Sequence, residues 1–587
     1  MTAPDYSFAP FLARRQTADY YRDAELLPQL FHHYAGERAA RLEFGIEGLA
    51  AEAAGRYRAW AETAALPENR PWLLPYDGHG NRVDRIVRPL ETRLMEREIF
   101  GLGLFRAAVD PWERLVKLLI LHQNGEHGVA CALACTQGLV VLGDALAPEL
   151  APPVREAWQH CKEGRDGDYG IAAQFLSEIQ GGSDVAANRA SAVPDGPAYR
   201  LAGTKFFCSA AHADYALVTA RVAGDEGVSL FLVPTWLTAE DRAAERRNHQ
   251  RIRRLKRKLG TWELPTAEIE YDGALAWLVG RRGRGLPLVV AHVLTTSRLA
   301  VSIFNVAAML RAFREARLYA EFRTVFGRPV GQWPLTAALL EDLRARVRES
   351  LAGLFAVHAE HLALGGVGVG FPRDADLDLR RRRLRLRLLI LLQKATTARD
   401  CVVFLERALS VFGGHGVMEC FSDLPRLLRD AHVNEQWEGP RNLLLYQIYH
   451  DLRRAAEWYP RRHLPGRPGG RCGPGAVCRA RLGGGGRRPR RCARALRTRA
   501  GASVGARPRR DHAPLPARRP GGPLTAGPDG RQRATPSRIP ALRAYIRATA
   551  NAPRTPSRPA APMERRSVAR MERSGIRGTP SDRRHPS

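Results

Sequence analysis

Apolar residues recur at three- and four-residue spacing through most of the first 165 residues, which predicts amphipathic helices. Two runs show this period most clearly, LFHHYAGERAARLEFGIEGLAAEAAGRYRAWAETA and PWERLVKLLILHQNGEHGVACALACTQGLVVLGDAL. The stretch PYDGHGN, which begins at Pro75, lies between them and is typical of a turn. We therefore expect an N-terminal helical domain over residues 1–165, interrupted at this turn.

The pattern changes near Gly167 to short segments rich in β-branched and aromatic residues. These segments are YGIAAQFLSE, YRLAGTKFFCSA, YALVTARVAG, VSLFLVPTW and AEIEYDGALAWLVG. Gly, Asp and Pro clusters separate them, which predicts a small antiparallel, barrel-like β-domain over residues 166–282. The helical period returns at Leu286 and predicts a helical bundle over residues 283–457. The fold class is therefore α+β, mainly α, with the β-domain set between helical domains.

The last segment, residues 458–587, loses every apolar period and consists largely of Arg, Pro, Gly and Ala. From Arg461 to Ser587 it holds 32 Arg, no Lys and 5 acidic residues, a net charge of +27 against +4 for the preceding 460 residues. Such a segment cannot bury enough apolar surface to offset its chain entropy, so we expect it to be disordered. Its composition also resembles an out-of-frame translation of GC-rich DNA.

Several classes of protein are disfavoured by composition and by missing motifs. The nine cysteines are scattered and form no C-x-x-C pair, which argues against a disulfide framework and favours a reduced, cytoplasmic setting. The N-terminus MTAPDYSFAPFLARR lacks the apolar stretch of a signal peptide, and the apolar run Leu286–Phe313 is too often interrupted for a membrane span. There is no P-loop and no H-E-x-x-H motif, and we predict no metal site.

Five blocks carry most of the information on function, and their order and spacing matter more than any one of them. They are AQFLSEIQGGSDVAAN (173–188), LAGTKFFCSAAHADYALVTAR (201–221), RIRRLKRKLGTWELPTAEIEY (251–271), YAEFRTVFGRPVGQWPL (319–335), and the pair SVFGGHGV (410–417) and VNEQWEGPRN (433–442). Together they resemble the T-E-x-x-x-G-S-D, G-x-K-x-W-I-T, R-x-x-F-G, F-G-G-x-G and Y-E-G motifs of the acyl-CoA dehydrogenase family. The Q-G-G-S-D-V and W-E-G variants lean towards its AidB-like branch, the adaptive-response flavoproteins.

The resemblance implies an FAD-dependent oxidoreductase that removes the α-proton and the β-hydride of an acyl-CoA thioester. By the Y-E-G motif the catalytic base is Glu438, with Trp437 as the aromatic wall of the flavin pocket. A carboxylate serves as such a base when burial raises its pKa towards neutrality. The expected partners are an acyl-CoA substrate, an electron-transferring flavoprotein as acceptor, and further copies of the chain in a homodimer or homotetramer.

The same resemblance assigns residues to the cofactor and the substrate. Against the flavin ring it places Phe175, Ser177, Ser183, Phe207 and Ser209. On the nucleotide side, some of them in a neighbouring subunit, it places Arg323, Phe326, Phe412, Gly413 and Gly414. It also gives Arg298 a substrate-binding role.

Departures from the motifs leave other functions open. Ser410 stands for the family's Gln, Pro440 for its Thr, and the third block lacks the Arg and Ser of G-x-R-x-S-x-T. The alternatives are a catalytically silent flavoprotein and an AidB-like protein that binds DNA, since the basic tail would attract polyanions. From Arg461 onward the tail offers a single aromatic residue, Tyr545, for stacking on bases. The basic run 251–258 either holds a phosphate-bearing substrate or solvates a loop, and the arginines at 380–387 predict a solvated helix face.

Overall fold

The computed structural model of the chain describes residues 6–164, 168–369 and 376–459. The predicted disorder of the tail falls outside these residues from position 460 onward. Within residues 6–164 the structure has eight α-helices: α1 Ala9–Gln16, α2 Leu27–Ala35, α3 Ala39–Glu52, α4 Arg58–Ala64, α5 Leu90–Gly101, α6 Pro111–His122, α7 His127–Leu146 and α8 Pro152–Glu163. Proline at or next to the first helical position, where its missing N–H leaves no bond unmade, begins α1, α2, α6 and α8.

The turn predicted at Pro75 is the end of a β-hairpin and not a simple loop between helices. Strands β1 (Trp72–Tyr76) and β2 (Arg82–Val87) pair antiparallel around it. The Asp77 carboxylate accepts the backbone N–H groups of His79 and Asn81 at 2.8 and 2.9 Å, which fixes the turn. The first 165 residues are therefore not purely helical, because two strands of five and six residues are too short to show a period.

The strand-rich segment forms a closed, mostly antiparallel barrel. Its strands are β3 Ala172–Phe175, β4 Ser191–Asp195, β5 Ala198–Ser209, β6 Tyr215–Val222, β7 Ser229–Pro234, β8 Gln250–Leu255 and β9 Thr266–Val279, with the short helix α9 (Ala239–Ala243) before β8. The pairings run from β6 through β7, β9, β5 and β4 back to β6, while β3 adds to β6 and β8 adds to β9. Two of these pairs, β3–β6 and β4–β6, are parallel, which the predicted antiparallel domain did not include.

The basic run at 251–258 is largely a strand with ion pairs across it. Arg253 and Arg254 in β8 pair with Glu270 and Glu268 of the neighbouring strand β9 at 3.1 and 2.7 Å, and Lys256 shares Glu268 at 2.7 Å. Opposite charges on adjacent strands stabilise a sheet. Most of these cations are therefore already paired within the chain, and neither a phosphate site nor a merely solvated loop describes the run.

The C-terminal part is a helical bundle, as the sequence predicts. Its elements are α10 Gly285–Leu288, α11 Leu294–Phe322, the small hairpin β10 Thr324–Val325 and β11 Arg328–Pro329, α12 Pro334–Leu364, α13 Leu377–Phe412, α14 Leu424–Gln436 and α15 Arg441–Arg454. The arginine-rich start of α13 is only partly solvated, since Arg382 pairs with Glu360 and Arg387 with the buried Asp451.

Two helices, α7 and α11 with their flanking turns, are long and apolar enough to cross a membrane by length and composition alone. Two thirds of the most apolar window of each is buried inside the protein. Helices that are apolar all round are also typical of the core of a large protein. Here α11 lies at the centre, in contact with α6, α7, α12, α13 and α14.

Candidate active site

Glu438 lies in a strained turn between α14 and α15. Helix α14 ends at Gln436, and Glu438 then adopts a left-handed backbone with φ of +57°, followed by Gly439 at +99°. A side chain other than glycine in this region costs about 1 kcal/mol or more and is commonly found at functional sites. A Cβ on Gly439 would also lie 2.9 Å from Leu444, so the turn requires glycine there. The W-E-G sequence thus fixes the direction of the glutamate.

The electrostatics of the Glu438 carboxyl group fit a general base. Oε1 accepts a hydrogen bond from Gln174 Nε2 at 3.0 Å, and Oε2 is buried with no hydrogen-bond partner among the described residues. Burial raises the pKa of this carboxyl, although Arg298, Lys394 and the Gln174 amide act against the rise. A buried carboxylate with a raised pKa and a free oxygen can accept a proton from a bound molecule.

Gln174 positions this base, and the sequence motifs did not identify it. Its amide nitrogen donates both to Glu438 Oε1 and to Ser297 Oγ on α11, the latter at 2.9 Å. Gln174 lies in β3, where neighbouring side chains point to opposite faces. Phe175, which was predicted to contact the flavin, points into the core with 4% of its surface exposed. Because side chains alternate between the two faces of a strand, the sequence could have indicated that Gln174 and Phe175 face opposite sides of β3.

We predict that Gln174→Leu shifts the pH dependence of the reaction. The Gln174 hydrogen bond lowers the pKa of Glu438, so its loss raises that pKa further. A base works only when deprotonated, so activity should decline at a higher pH as the solution is acidified. The measurement is the pH profile of kcat/KM from pH 5 to 9. Ser302→Ala, which removes a hydroxyl bonded only within α11, is the control and should leave the profile unchanged.

Two buried cations hold the turn that carries Glu438. Arg298 Nε donates to the Glu438 carbonyl oxygen at 3.1 Å, and Lys394 Nζ donates to the Gly439 and Glu435 carbonyl oxygens at 2.8 and 3.2 Å. Burial lowers the pKa of Arg298 to about 10 and that of Lys394 to about 8. The sequence predicted Arg298 as a substrate ligand and missed Lys394. In the structure both side chains support the backbone of the base.

A loop from Ser177 to Ser183 continues β3 beyond Gln174. The Ser177 carbonyl accepts the Phe206 N–H at 2.9 Å, which joins the loop to β5. A Cβ on Gly182 would lie 2.2 Å from Ser177 Oγ, so the loop folds back until the Gly182 backbone lies against the Ser177 hydroxyl. Ser183 is exposed. The loop therefore offers hydroxyl and backbone groups where the chain leaves β3, the strand that carries Gln174.

One buried ion pair connects the loop to β5. Lys205 Nζ donates to Glu178 Oε1 at 2.8 Å, and the Glu178 carboxylate also accepts the Arg189 and Ala190 N–H groups. Lys205 is fully buried and Glu178 is 4% exposed. These are the Glu of the first motif and the Lys of the second. The two motifs therefore act as a pair that fixes the loop, a role that the sequence did not reveal.

The remaining residues near the base differ in how they suit a flavin. Phe207 on β5 is 52% exposed, although Lys256 Nζ lies 4.8 Å from its ring centroid. Ser209 Oγ lies 3.1 Å from Thr266 Oγ1, so its hydroxyl already has a partner. Trp437 has a buried indole N–H without a protein partner. An exposed aromatic ring, an indole N–H without a hydrogen-bond partner among the described residues and a loop with two serine hydroxyls suit a planar, hydrogen-bonding cofactor.

A second group of predicted residues gathers at the far end of α11. Phe412 is buried and stacks on Tyr319 at 4.4 Å, and the backbone N–H of Arg323 donates to the Tyr319 carbonyl. The nearby Gly413 and Gly414 are exposed, and Phe326 is 90% exposed in the β10–β11 turn. In the described residues no hydrogen bond or ring contact joins this group directly to Glu438. A role at the cofactor of a neighbouring subunit stays a prediction.

Comparisons with known proteins agree with this arrangement. Residues 173–274 match the model of the acyl-CoA dehydrogenase middle domain, and residues 283–452 match that of the acyl-CoA dehydrogenase C-terminal domain. The chain is 32% identical to acyl-CoA dehydrogenase family member 11 of Caenorhabditis elegans over 401 residues, 65% of this chain and 62% of that protein. It is 30% identical to AidB of Escherichia coli over 413 residues, 67% of this chain and 71% of that protein.

Solved structures show the same fold. The crystal structure of Caenorhabditis elegans ACDH-11 in complex with C11-CoA superimposes with a TM-score of 0.67 at 26% identity, over 77% of this chain and 76% of that one. The structure described as Bd2924 apo-form gives 0.65 at 27% identity, over 73% and 86%. These structural matches confirm the predicted fold class, and the sequence similarity to AidB supports the predicted lean towards its branch. The chain belongs to the acyl-CoA dehydrogenase family.

Proposed function

We propose that the protein is an FAD-dependent enzyme that desaturates an acyl-CoA thioester between its α and β carbons. The observation that carries the proposal is Glu438, a buried carboxylate with a raised pKa and one free oxygen. The complex of the similar ACDH-11 with C11-CoA supports an acyl-CoA as the ligand class.

The path that we propose for the acyl chain is the seam between α7 and α11. Both helices approach the base at one end, since Ser297 bonds to Gln174 and Gly138 lies beside the same amide. Beyond that point the seam is lined by short or flat apolar side chains: Ala130, Ala134, Ala300, Val301, Phe304 and Trp437. Such a lining suits an alkyl chain.

In the proposed reaction Glu438 accepts the α-proton through Oε2. Gln174 keeps the carboxylate in place at Oε1, while Arg298 and Lys394 hold the turn behind it. Bound FAD supplies the hydride acceptor for the β-carbon, so the substrate loses two electrons and both hydrogens and leaves as a 2-enoyl thioester. Ser177, Ser183 and Phe207 are the residues that would hold the flavin ring, with Trp437 as its wall.

An anaerobic titration tests the proposal. The purified protein should show a flavin spectrum, and an acyl-CoA should bleach its visible band without added reductant. A protein that binds no flavin would refute the proposal. Bound flavin that no acyl-CoA reduces would favour the catalytically silent alternative instead.

The physiological setting is proposed on the same basis. We infer an electron-transferring flavoprotein as acceptor, a homodimer or homotetramer, and a cytoplasmic location. Salt-sensitive retention on DNA, if it depended on the tail, would support the nucleic-acid alternative.

A further inference from the structure

A small cavity lies along the α7–α11 seam, where α14 closes over it. Its walls come from α6, α7, α11 and α14 and the α6–α7 turn, and they include His127, Ala130, Phe304, Ala308, Asp430 and Asn434. Ala130 and Phe304 belong also to the apolar lining of the seam, and the Trp437 ring centroid lies 5.9 Å from that of His127. The cavity therefore adjoins the proposed acyl path.

The two helices define how far the cavity lies from the base. On α7 the base end is at Gly138 and the cavity end at His127. On α11 these ends are at Ser297 and Ala308, so the helices run in opposite directions along the seam. The stretch of α11 from Ser297 to the nearest wall residue, Phe304, spans about 10 Å. On α14 the wall residue Asn434 lies four residues before Glu438. A medium or long acyl chain is thus the kind of group whose end would reach the cavity.

The walls of the cavity carry buried polar atoms without partners. His127 Nε2 and Asn434 Oδ1 make no hydrogen bond in the described structure, and Asp430 Oδ2 has only its ion pair with His127 Nδ1 at 3.5 Å. These three residues are 4%, 2% and 2% exposed, in the order His127, Asn434, Asp430. Asn434 Nδ2 donates to Asn305 Oδ1 at 3.1 Å, which fixes the direction of its free oxygen. A dry apolar chain end would leave these groups unsatisfied, and each such burial is unfavourable.

The ionisation of the cluster limits what the cavity can accept. Burial lowers the pKa of His127, but Asp430 and Glu263 together raise it to about 10, so the ring is an imidazolium. Its Nδ1 lies 3.0 Å from the Gly125 carbonyl and 3.5 and 3.7 Å from the carboxylates of Asp430 and Glu263. Arg426 donates to the same Gly125 carbonyl at 2.8 Å and offsets the second carboxylate.

The group His127, Glu263 and Asp430 has the geometry of a possible metal site, with ligand atoms within 4.8 Å of one another. A metal ion would have to displace the proton that the two carboxylates hold on His127, and it would be repelled by Arg426 and Lys258, which interact with the same carboxylates. A chain that ended in a carboxylate or an ammonium would bring a further charge without a partner into this buried cluster. A neutral group with one donor and one acceptor fits instead.

We propose that this cavity binds a hydroxyl group at the distal end of the acyl chain, so that the preferred substrates are hydroxylated medium- or long-chain acyl-CoAs. The hydroxyl donates to Asp430 Oδ2 or Asn434 Oδ1 and accepts from His127 Nε2–H. The inference rests on the proposed function, because it assumes that the acyl chain lies in the α7–α11 seam.

The test compares decanoyl-CoA with ω-hydroxydecanoyl-CoA on the full-length, flavin-loaded protein. We expect kcat/KM to be at least about tenfold higher for the hydroxylated substrate, because a site built to bond a hydroxyl discriminates against the chain that lacks it. Calorimetric titration of the Glu438→Gln protein, which binds without turnover, should show the same preference in Kd.

Asn434→Leu should abolish the preference while butyryl-CoA, whose chain is too short to reach the cavity, reacts as before. Should that variant fail to fold, Ala308→Leu fills the cavity without removing a hydrogen bond and should have the same effect. Equal values for the two decanoyl substrates, or a preference for the ten-carbon dicarboxylic thioester, would overturn the inference and leave the dehydrogenase intact. Failure of every acyl-CoA to reduce the flavin would overturn the proposed function as well.

Discussion

Glu438→Gln is expected to slow flavin reduction by an acyl-CoA about a thousandfold and to leave the flavin bound. The amide cannot take the α-proton, and a positioned general base contributes rate factors of this order. The substitution keeps the size of the side chain, and the new Oε1 can still accept the hydrogen bond from Gln174. Rapid mixing under anaerobic conditions gives the rate from the loss of the visible flavin band.

The same variant should change stability with pH in a defined direction. Burial raises the pKa of Glu438 in the folded protein above its unfolded value. The protonated, neutral carboxyl is thus favoured on folding, and that contribution is full below the unfolded pKa and is lost as the pH rises through the folded pKa. Glu438→Gln stays neutral throughout, so its melting temperature should exceed that of the wild type at pH 8 and converge with it towards pH 4.

Glu435→Gln is the matched control. Glu435 lies three residues before Glu438, in the last turn of α14, and the ion pair of its carboxylate with Arg399 is long, at 3.9 Å. Its side chain should matter little to the rate. If Glu438→Gln kept the wild-type rate, or if the two variants lost activity equally, Glu438 would not be the base.

The sequence predicted the three-part fold because most elements are long and strongly periodic. Helices α11, α12 and α13 have 29, 31 and 36 residues, and their patterns repeat many times. It failed for β1 and β2, which are too short to repeat, and for β8, whose alternation is broken by a register shift between Ile252 and Arg254. Parallel pairing of β3 and β4 with β6 could not be predicted either, since strand direction is decided by contacts between segments distant in sequence.

The candidate site was predictable only as far as its motifs reach. Glu438 and Trp437 carry a recognisable three-residue pattern, whereas Gln174 is an ordinary strand residue whose role depends on α14 and α11 meeting β3. Lys394 is equally hidden, because a lysine in the middle of a long helix is usually solvated. Each of these roles arises from tertiary contacts that bring together residues more than 40 positions apart.

The pairing of Glu178 with Lys205 predicts the second large effect. Lys205→Met is expected to lower the free energy of unfolding by about 3 kcal/mol, because removing one partner leaves a buried carboxylate uncompensated. The loss should be at the lower end of the usual range, since the Arg189 and Ala190 N–H groups still bond to Glu178. Methionine preserves most of the volume of the lysine chain, so the effect reports the charge and not a cavity.

The consequence should extend to the cofactor, because Glu178 anchors the loop that carries Ser177 and Ser183. Lys205→Met should therefore also purify with less flavin, measured as the ratio of visible to ultraviolet absorbance, and denaturant unfolding gives its stability.

In the double variant with Glu178→Gln no buried charge is left unpaired, so much of the stability should return. Wild-type stability and flavin content in Lys205→Met would mean that the ion pair does not hold the loop. Recovery of stability without flavin in the double variant would instead show that the loop needs the pair itself, because a fold can tolerate two neutral groups where a cofactor site requires one fixed geometry.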